Sequence, residues 1–539
     1  MAQGSGPPPS SPSSPVTRAA TLAGAATLTS RILGLVREQV LAALFGAGNE
    51  MDAFLVAFRI PNLLRDLFAE GAMSAAFVPR FTRHLTMHGR ADAWRLGNNV
   101  VNALVVITGT LVAVGYVFSR PLVTAYATSF ADVPGKLELT LLLARVMLPF
   151  LTLAAIGAAV MGMLNSLRHY FVPALAPATF NVVAILFALL LTPVMPAVGL
   201  PPIMSVTLAV VLGGATQIAV QWPSLRREGF RYRAVLDPRD PDLRKVLLLM
   251  GPGTIGLAAT QVNLFVTTLL ATSEGVGAVS WLQYAYRIVY LPLGLFGVSI
   301  ATAVLPEVSR HAALQDRAAV RRTVSHGLAL MLTVNLPATF GLIALSHDIV
   351  GLLLERGRFT AQDTAATAAA LSLYAVGLVG YSTTRIASPV FYALGRNRIP
   401  VALSAISVAV NLLCSLLLVD IIGFSGLALA TSLAALVNAS ICVLLLRRQL
   451  GGLDGARLAS TALKVAAGSA AMWLTVVTVN GWLYQIASHG STLTRAATLM
   501  VSIGAGLIVL TAAAKLLRIE PFEEIAAQAR GRVRKLLIG

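Results

Sequence analysis

The chain has 539 residues, of which 56% are hydrophobic and only 12% charged, with a mean hydropathy of +0.77. Soluble domains carry about 25% charged residues, so that class is excluded. A net charge of +18 would point to nucleic acid in a soluble protein, but here apolar runs of about 20 residues, long enough to cross a bilayer as helix, recur along nearly the whole length.

In chain order, residues 1–20, with the run Pro7-Pro8-Pro9-Ser10-Ser11, read as a disordered cytoplasmic tail without the basic n-region of a signal peptide. About fourteen spans follow, near 22–46, 51–79, 97–119, 139–163, 172–193, 201–222, 246–272, 279–305, 324–346, 365–393, 400–420, 424–446, 461–484 and 496–514. The fold expected is an all-α integral membrane protein. It divides into an N-lobe (21–228), a cytoplasmic linker (229–245), a C-lobe (246–450), a two-helix extension (456–516) and a basic cytoplasmic C-terminal helix (517–539). An even span count puts both termini on one side. With that side cytoplasmic, 29 of the 41 Lys and Arg fall in cytoplasmic segments. Only Arg120, Lys136, Arg356, Arg358 and Arg495 fall opposite. The excess charge is therefore membrane topology rather than a nucleic-acid footprint.

The first span carries Arg31 and Arg37 where a lipid-facing helix would carry leucine, and the second adds Asp52, Arg59, Arg65, Asp66 and Glu70. An arginine near the bilayer centre costs about 2.5–3.5 kcal/mol on insertion scales. Such charges point to a hydrated cavity with an anion as guest. Arg31 and Arg37 lie about 120° apart round an ideal helix, with Gly34 between them as a place to bend. Asp52 and Glu70 are five turns apart, so helix two reads as an acid-base ladder able to gate, with Arg59 close to the direction of Asp52. Arg145 and Arg385 are the other intramembrane arginines. Arg145 reads as a snorkelling or paired residue, and Arg385 is open between structure and function.

The chain also repeats. Ala57-Phe58-Arg59-Ile60 precedes Pro79, Arg83 and His84 as Ala285-Tyr286-Arg287-Ile288 precedes Pro306, Arg310 and His311. Pro79 and Pro306 are 227 residues apart, as are Pro173 and Pro400. Six spans separate the copies, so they insert in parallel as two six-helix lobes. The site between such repeats lies near the midplane, and Arg287 is the second lobe's basic residue there. No Gly-rich phosphate loop, zinc spacing or Ser-His-Asp set appears, so no catalytic or metal residue is assigned and a transporter rather than an enzyme is expected. Cys414 and Cys442 stand alone within apolar runs. His84, His88, His169, His311 and His326 fall in cytoplasmic loops or helix ends and read as solvated or interfacial.

The runs Ser30-Arg31-Ile32-Leu33-Gly34-Leu35-Val36-Arg37-Glu38, Asp52-Ala53-Phe54, Arg59-Ile60-Pro61-Asn62-Leu63-Leu64-Arg65 and Phe68-Ala69-Glu70-Gly71-Ala72 closely resemble the MurJ (MviN) family of the MOP exporter superfamily. So do Tyr284-Ala285-Tyr286-Arg287 and Phe391-Tyr392-Ala393-Leu394-Gly395. The resemblance implies a lipid II flippase of the bacterial inner membrane, working by alternating access. Arg31, Arg37, Arg65 and Arg287 would bind the lipid-linked pyrophosphate, with Asp52 and Glu70 as acidic partners. It places the polyprenyl tail against the last two spans. It implies a monomer whose partners are lipid II, the bilayer and cell-wall synthesis or division proteins. Alternatives are another MOP exporter, for an O-antigen or teichoic precursor, and a non-transporting cell-wall scaffold. Some members have an Asp where this chain has Tyr286. Members with a proposed sodium site use carboxylates where this chain has Val266-Thr267-Thr268 and Asn411-Leu412-Leu413-Cys414-Ser415. Asn411 and Thr431 could still offer oxygens, but no cofactor is expected and the membrane potential is left as the energy source.

Overall fold

A computed structural model describes residues 15–66, 72–486 and 491–527, apart from the side chains of 15–21, 23, 64, 72, 74, 75, 251–260, 295, 296 and 298. The N-terminal tail (1–14), Glu70 and the basic residues Arg530, Arg532, Arg534 and Lys535 lie outside the described residues. Among those described there is no strand. The helices run α1 (Pro15–Phe45), α2 (Asn49–Arg65), α3 (Ala72–Met87), α4 (Arg90–Val117), α5 (Ser119–Tyr126), α6 (Lys136–Met147), α7 (Phe150–Ser166), α8 (Phe171–Leu191), α9 (Met204–Arg227) and α10 (Pro241–Ala271). They continue as α11 (Ala278–Pro292), α12 (Val298–Ala313), α13 (Arg317–Ala344), α14 (Ser346–Leu354), α15 (Ala361–Val376), α16 (Leu378–Ala393), α17 (Arg398–Ile422), α18 (Phe424–Gln449), α19 (Gly455–Ile486) and α20 (Thr492–Leu516).

The repeat is visible in these bounds. Helices α4 and α13 start at residues 90 and 317 and end at 117 and 344, offset by 227 at both ends. The same offset links the end of α2 at Arg65 to the end of α11 at Pro292, after which a π turn (Leu293–Gly297) leads into α12. Nine described helices are long and apolar enough to cross a membrane, or ten if α15 and α16, bent by 43°, form one span. The expected fourteen is therefore not reached by length and composition alone. The reason lies in the spans that fall short. The first, second and seventh include residues outside those described, and the eighth is divided at the π turn between α11 and α12.

The chain forms two compact units: 1–44, 53–126 and 131–258 in the first, 45–52, 127–130 and 259–539 in the second. In the first, α3, α4 and α7 bury a core of Phe77, Phe81, Trp94, Leu104 and Met163. Trp94 meets Phe81 at a tilt (5.6 Å between ring centroids) and Phe230 edge-on (5.4 Å). The linker does not stand apart from this unit. Residues 231–237 run extended along α4, where three asparagines act as a row of backbone partners. Asn98 bonds the Arg231 carbonyl (3.0 Å) and receives the Arg233 N–H (2.9 Å). Asn99 receives the Asp237 N–H (2.8 Å), and Asn102 donates to the carbonyls of Arg233 (2.8 Å) and Val235 (2.9 Å). These amides satisfy backbone groups of a segment that has no ladder or helix of its own. Leu243, Val246 and Met250 at the start of α10 then join the first unit's core.

In the second unit, α12, α13, α16 and α18 enclose Val308, Val324, Met331, Phe391 and Leu446. A Cβ on Gly380 of α16 would fall 2.7 Å from the backbone of Ala435 on α18, so only glycine permits that approach. α19 and α20 pack together around Met472, Val476, Leu499 and Leu510.

Candidate functional site

Within the first unit, α1 is tied to α8 by the Asn181 amide, which donates to the Ser30 carbonyl at 3.0 Å. Beside that contact opens a cavity of about 380 Å³ between α1, α7 and the start of α8. Among the described residues Arg31 is the one charged residue in its lining; Thr27, Ser30, Asn165 and Tyr170 are polar, and Met161, Pro173, Ala174 and Pro177 make the rest of the wall apolar. A guanidinium with a few hydroxyl and amide groups on a largely apolar wall offers donors suited to phosphate oxygens.

Arg37 is not in that lining. Its guanidinium is paired to Glu38 at 2.6 Å and lies 5.8 Å from the centre of the Phe180 ring. Helix α1 runs unbroken through Gly34, whose added Cβ would meet only the Asn181 amide at 3.6 Å. The 120° separation of the two arginines thus persists, and they meet different partners. Arg65 is likewise neutralised locally, 2.6 Å from Asp66, which also accepts from Asn62 at 3.2 Å. The Arg59 Nε is buried without a hydrogen-bond partner among the described residues. Arg145, as its position near a helix end suggests, is held by the Ser119 hydroxyl (2.8 Å) and the Tyr116 ring (5.1 Å).

Asp52 falls in the second unit, fully buried. Its carboxylate accepts from the N–H groups of Gly277 (2.8 Å) and Ser280 (3.1 Å) and from the Ser280 hydroxyl (2.7 Å). It therefore caps the N-terminus of α11, where helix partial charge favours an anion. Gly277 sits at φ +95°, and a Cβ there would lie 2.7 Å from the Ala47 carbonyl, so glycine is needed for the turn that Asp52 grips. Further along α11, Arg287 is half-buried. On the same helix, the rings of Tyr286 and Tyr290 meet at a tilt 4.7 Å apart, Tyr286 meets Tyr374 at 5.5 Å, and Arg385 lies over the Tyr290 ring at 5.7 Å. Arg385 thus joins an aromatic cluster.

Asn411 and Thr431 do come together, in a wholly neutral cluster. The Asn411 amide nitrogen donates to the side chains of Asn263 and Thr267, while its oxygen accepts from Thr431 (3.4 Å) and Ser415 (3.5 Å). In this arrangement the Asn411 NH₂ rather than its oxygen faces Asn263 and Thr267, and no carboxylate is among these partners.

Two polar features were not legible as sites. The Asn98-Asn99-Val100-Val101-Asn102 pattern in an apolar helix was the available signal for the linker clasp. His84, expected to be solvated or interfacial, is half-buried and lies between Asp92 (2.5 Å) and Asp242 (3.1 Å). Burial would raise the Asp242 carboxyl, but hydrogen bonds and charge from His84 and Arg80 outweigh it and hold it below the usual range. Nearby, the hydrogen bond from His169 lowers the Glu228 carboxyl, with burial opposing and the Arg90 charge assisting.

The profile of the family described as Lipid II flippase MurJ matches residues 41–494. A probable lipid II flippase MurJ of Rhizobium meliloti is 34% identical over 501 residues, 91% of this chain and 92% of that protein. A lipid II flippase MurJ of Burkholderia cenocepacia is 32% identical, with 78% and 82% covered. A solved structure of lipid II flippase MurJ in an inward closed conformation superposes with a TM-score of 0.76 at 26% identity, covering 92% of this chain and 99% of that one. An inward-facing multidrug MATE transporter of the MOP superfamily shares the fold, at TM-score 0.65 and 15% identity, covering 81% and 99%.

Proposed function

The chain belongs to the MurJ family of lipid II flippases, and on that premise we propose that it carries the undecaprenyl-pyrophosphate-linked peptidoglycan precursor from the inner to the outer leaflet of the bacterial cytoplasmic membrane by alternating access. It is a multi-pass membrane protein, and in this reading both termini are cytoplasmic and the working unit is a monomer. The chemistry is transport, with no bond made or broken.

One observation carries the reading: Arg31 is the single charge on the wall of the first unit's cavity, on a helix that bears arginines at an insertion cost of about 2.5–3.5 kcal/mol each. Arg31 receives the pyrophosphate, with Ser30, Thr27 and Tyr170 as neutral donors. Arg287 serves in the second unit. Arg37 and Arg65 are held by Glu38 and Asp66, and the substrate anion competes with those carboxylates for them.

The energy source in this proposal is the membrane potential. Moving one charge through 100 mV is worth about 2.3 kcal/mol, so a substrate with two negative charges gains about 4–5 kcal/mol outward. The neutral Asn411 cluster supports a sodium-independent cycle. The test is complementation of a flippase-depleted bacterium. Growth should be rescued by the parent chain and not by Arg31→Ala or Arg287→Ala at equal membrane abundance, and collapsing the potential should stop export. Rescue by both variants would overturn the assignment of the arginines, and export that persists without a potential would overturn the energy source.

A further inference from the structure

The last turn of α3 and the first turn of α4 bring together His84, His88 and Asp92. This is the one place among the described residues where three such ligating side chains converge, with donor atoms all within 4.8 Å of one another. Gly89, at φ +86°, reverses the chain between them. His84 Nδ1 lies 2.5 Å and His88 Nδ1 4.0 Å from the same oxygen, Asp92 Oδ2. The other nitrogen of His84, Nε2, is 3.1 Å from Asp242, and Asp242 is itself gripped by Arg80 at 2.7 Å.

That outer pair constrains the inner one. When Nε2–H donates to Asp242, the Nδ1 lone pair faces a carboxylate oxygen, and two acceptors this close need a positive centre between them. A proton satisfies a two-residue pair and leaves His88 without a task. A divalent cation satisfies all three groups. A histidine whose second nitrogen is held by a carboxylate is the usual arrangement of a metal ligand. We propose that His84 Nδ1, His88 Nδ1 and Asp92 Oδ2 form a binding site for a first-row divalent cation of zinc type, with water completing the shell. Asp242 and Arg80 orient the half-buried His84.

Two imidazoles and one carboxylate are a donor set that zinc accepts with three protein ligands and an open position. Bonds of about 2.0–2.2 Å in a tetrahedron set ligand atoms about 3.3–3.6 Å apart, so an ion would part His84 Nδ1 from Asp92 Oδ2, now 2.5 Å away, and draw in His88 Nδ1, now 4.0 Å away. His88 is 56% exposed at its side chain, so it can close the longer distance freely, and solvent reaches the open position. Two nearby arginines already have partners, Arg80 with Asp242 at 2.7 Å and Arg90 with Glu228 at 3.1 Å.

The repeat supplies an internal control. At the +227 positions the second copy keeps His311 but has Gln315 and Ala319 in place of His88 and Asp92. There the helix start is capped instead by Asp316, which accepts from the Ala319 N–H at 2.9 Å. The turn therefore forms without the ligand set, and the fold alone does not require those residues in the first copy. A bound ion would tie the α3–α4 turn, through Asp242, to the start of α10.

The experiment uses the full-length protein in nanodiscs, with any affinity tag removed, stripped with EDTA and titrated with zinc chloride by calorimetry and by metal analysis after dialysis. The expected result is one zinc per chain. Affinity should fall by about 10-fold or more in His88→Gln and in Asp92→Asn, and stay unchanged in His311→Gln. Zinc should raise the thermal unfolding midpoint of the parent but not of His88→Gln. Because His88 is exposed, that variant should unfold like the parent in EDTA, and it decides the matter if Asp92→Asn folds poorly. No stoichiometric zinc in the parent, or equal binding in His88→Gln, would overturn the site.

Discussion

Replacing Asp52 separates a structural anchor from a gate. Its carboxylate holds two backbone N–H groups and one hydroxyl at the start of α11, all buried. In Asp52→Ala the Gly277 and Ser280 N–H groups lose these partners in a site closed to water. Hydrogen bonds to a charged acceptor contribute about 1.5–3 kcal/mol each and are not additive, so the whole loss is about 3–5 kcal/mol. Asp52→Asn keeps one acceptor but turns an NH₂ toward a donor, for about 1–3 kcal/mol. Ser280→Ala removes one bond, for about 1 kcal/mol. Thermal unfolding read by a thiol-reactive dye suits this test, because Cys442 is buried in the second unit's core. The midpoint should fall by several degrees in Asp52→Ala, less in Asp52→Asn and least in Ser280→Ala. A midpoint for Asp52→Ala equal to the parent's would refute the cap, and if export were then lost, Asp52 would act as a gate.

Trypsin should cut at Arg231, Arg233 and Arg239 about 5–150 times faster in Asn102→Ala than in the parent, since removing the amide frees about 1–3 kcal/mol of linker hold; equal rates would show the clasp to be idle. Glu228 has a folded-state pKa below its ordinary value, so its stabilisation is full above the unfolded pKa and is lost as pH falls through the folded one. The unfolding midpoint should therefore drop below about pH 4.5, and Glu228→Gln should lower the midpoint at neutral pH while flattening that dependence. Replacing choline chloride by sodium chloride should leave the parent's unfolding midpoint unchanged, and a sodium-dependent rise would contradict the neutral Asn411 cluster.

Much of this molecule is legible in its residues because membrane burial makes charge expensive. Arg31 stood out for that reason, and the structure puts it on a cavity wall. Equal spacing of Pro79 and Pro306 exposed a repeat that the helix bounds follow to the residue in α4 and α13. What was not legible depends on partners distant in sequence. Nothing near Asp52 announces that it caps a helix 225 residues away. Likewise, the linker at 229–245 reads as a free connection until Asn98, Asn99 and Asn102 are seen to hold its backbone. Arg37 and Arg65 are instructive in the other direction, since Glu38 and Asp66 sit next to them in sequence and could be read as partners. Their pairing makes them guarded cations rather than open ones.

The most direct test measures outer-leaflet lipid II in cells depleted of their own flippase, comparing the parent chain with Arg31→Ala at equal membrane abundance and equal unfolding midpoint. The parent should restore outer-leaflet lipid II, and Arg31→Ala should leave it confined to the inner leaflet. Restoration by Arg31→Ala to the parent's level would contradict the claim that this cavity receives the pyrophosphate.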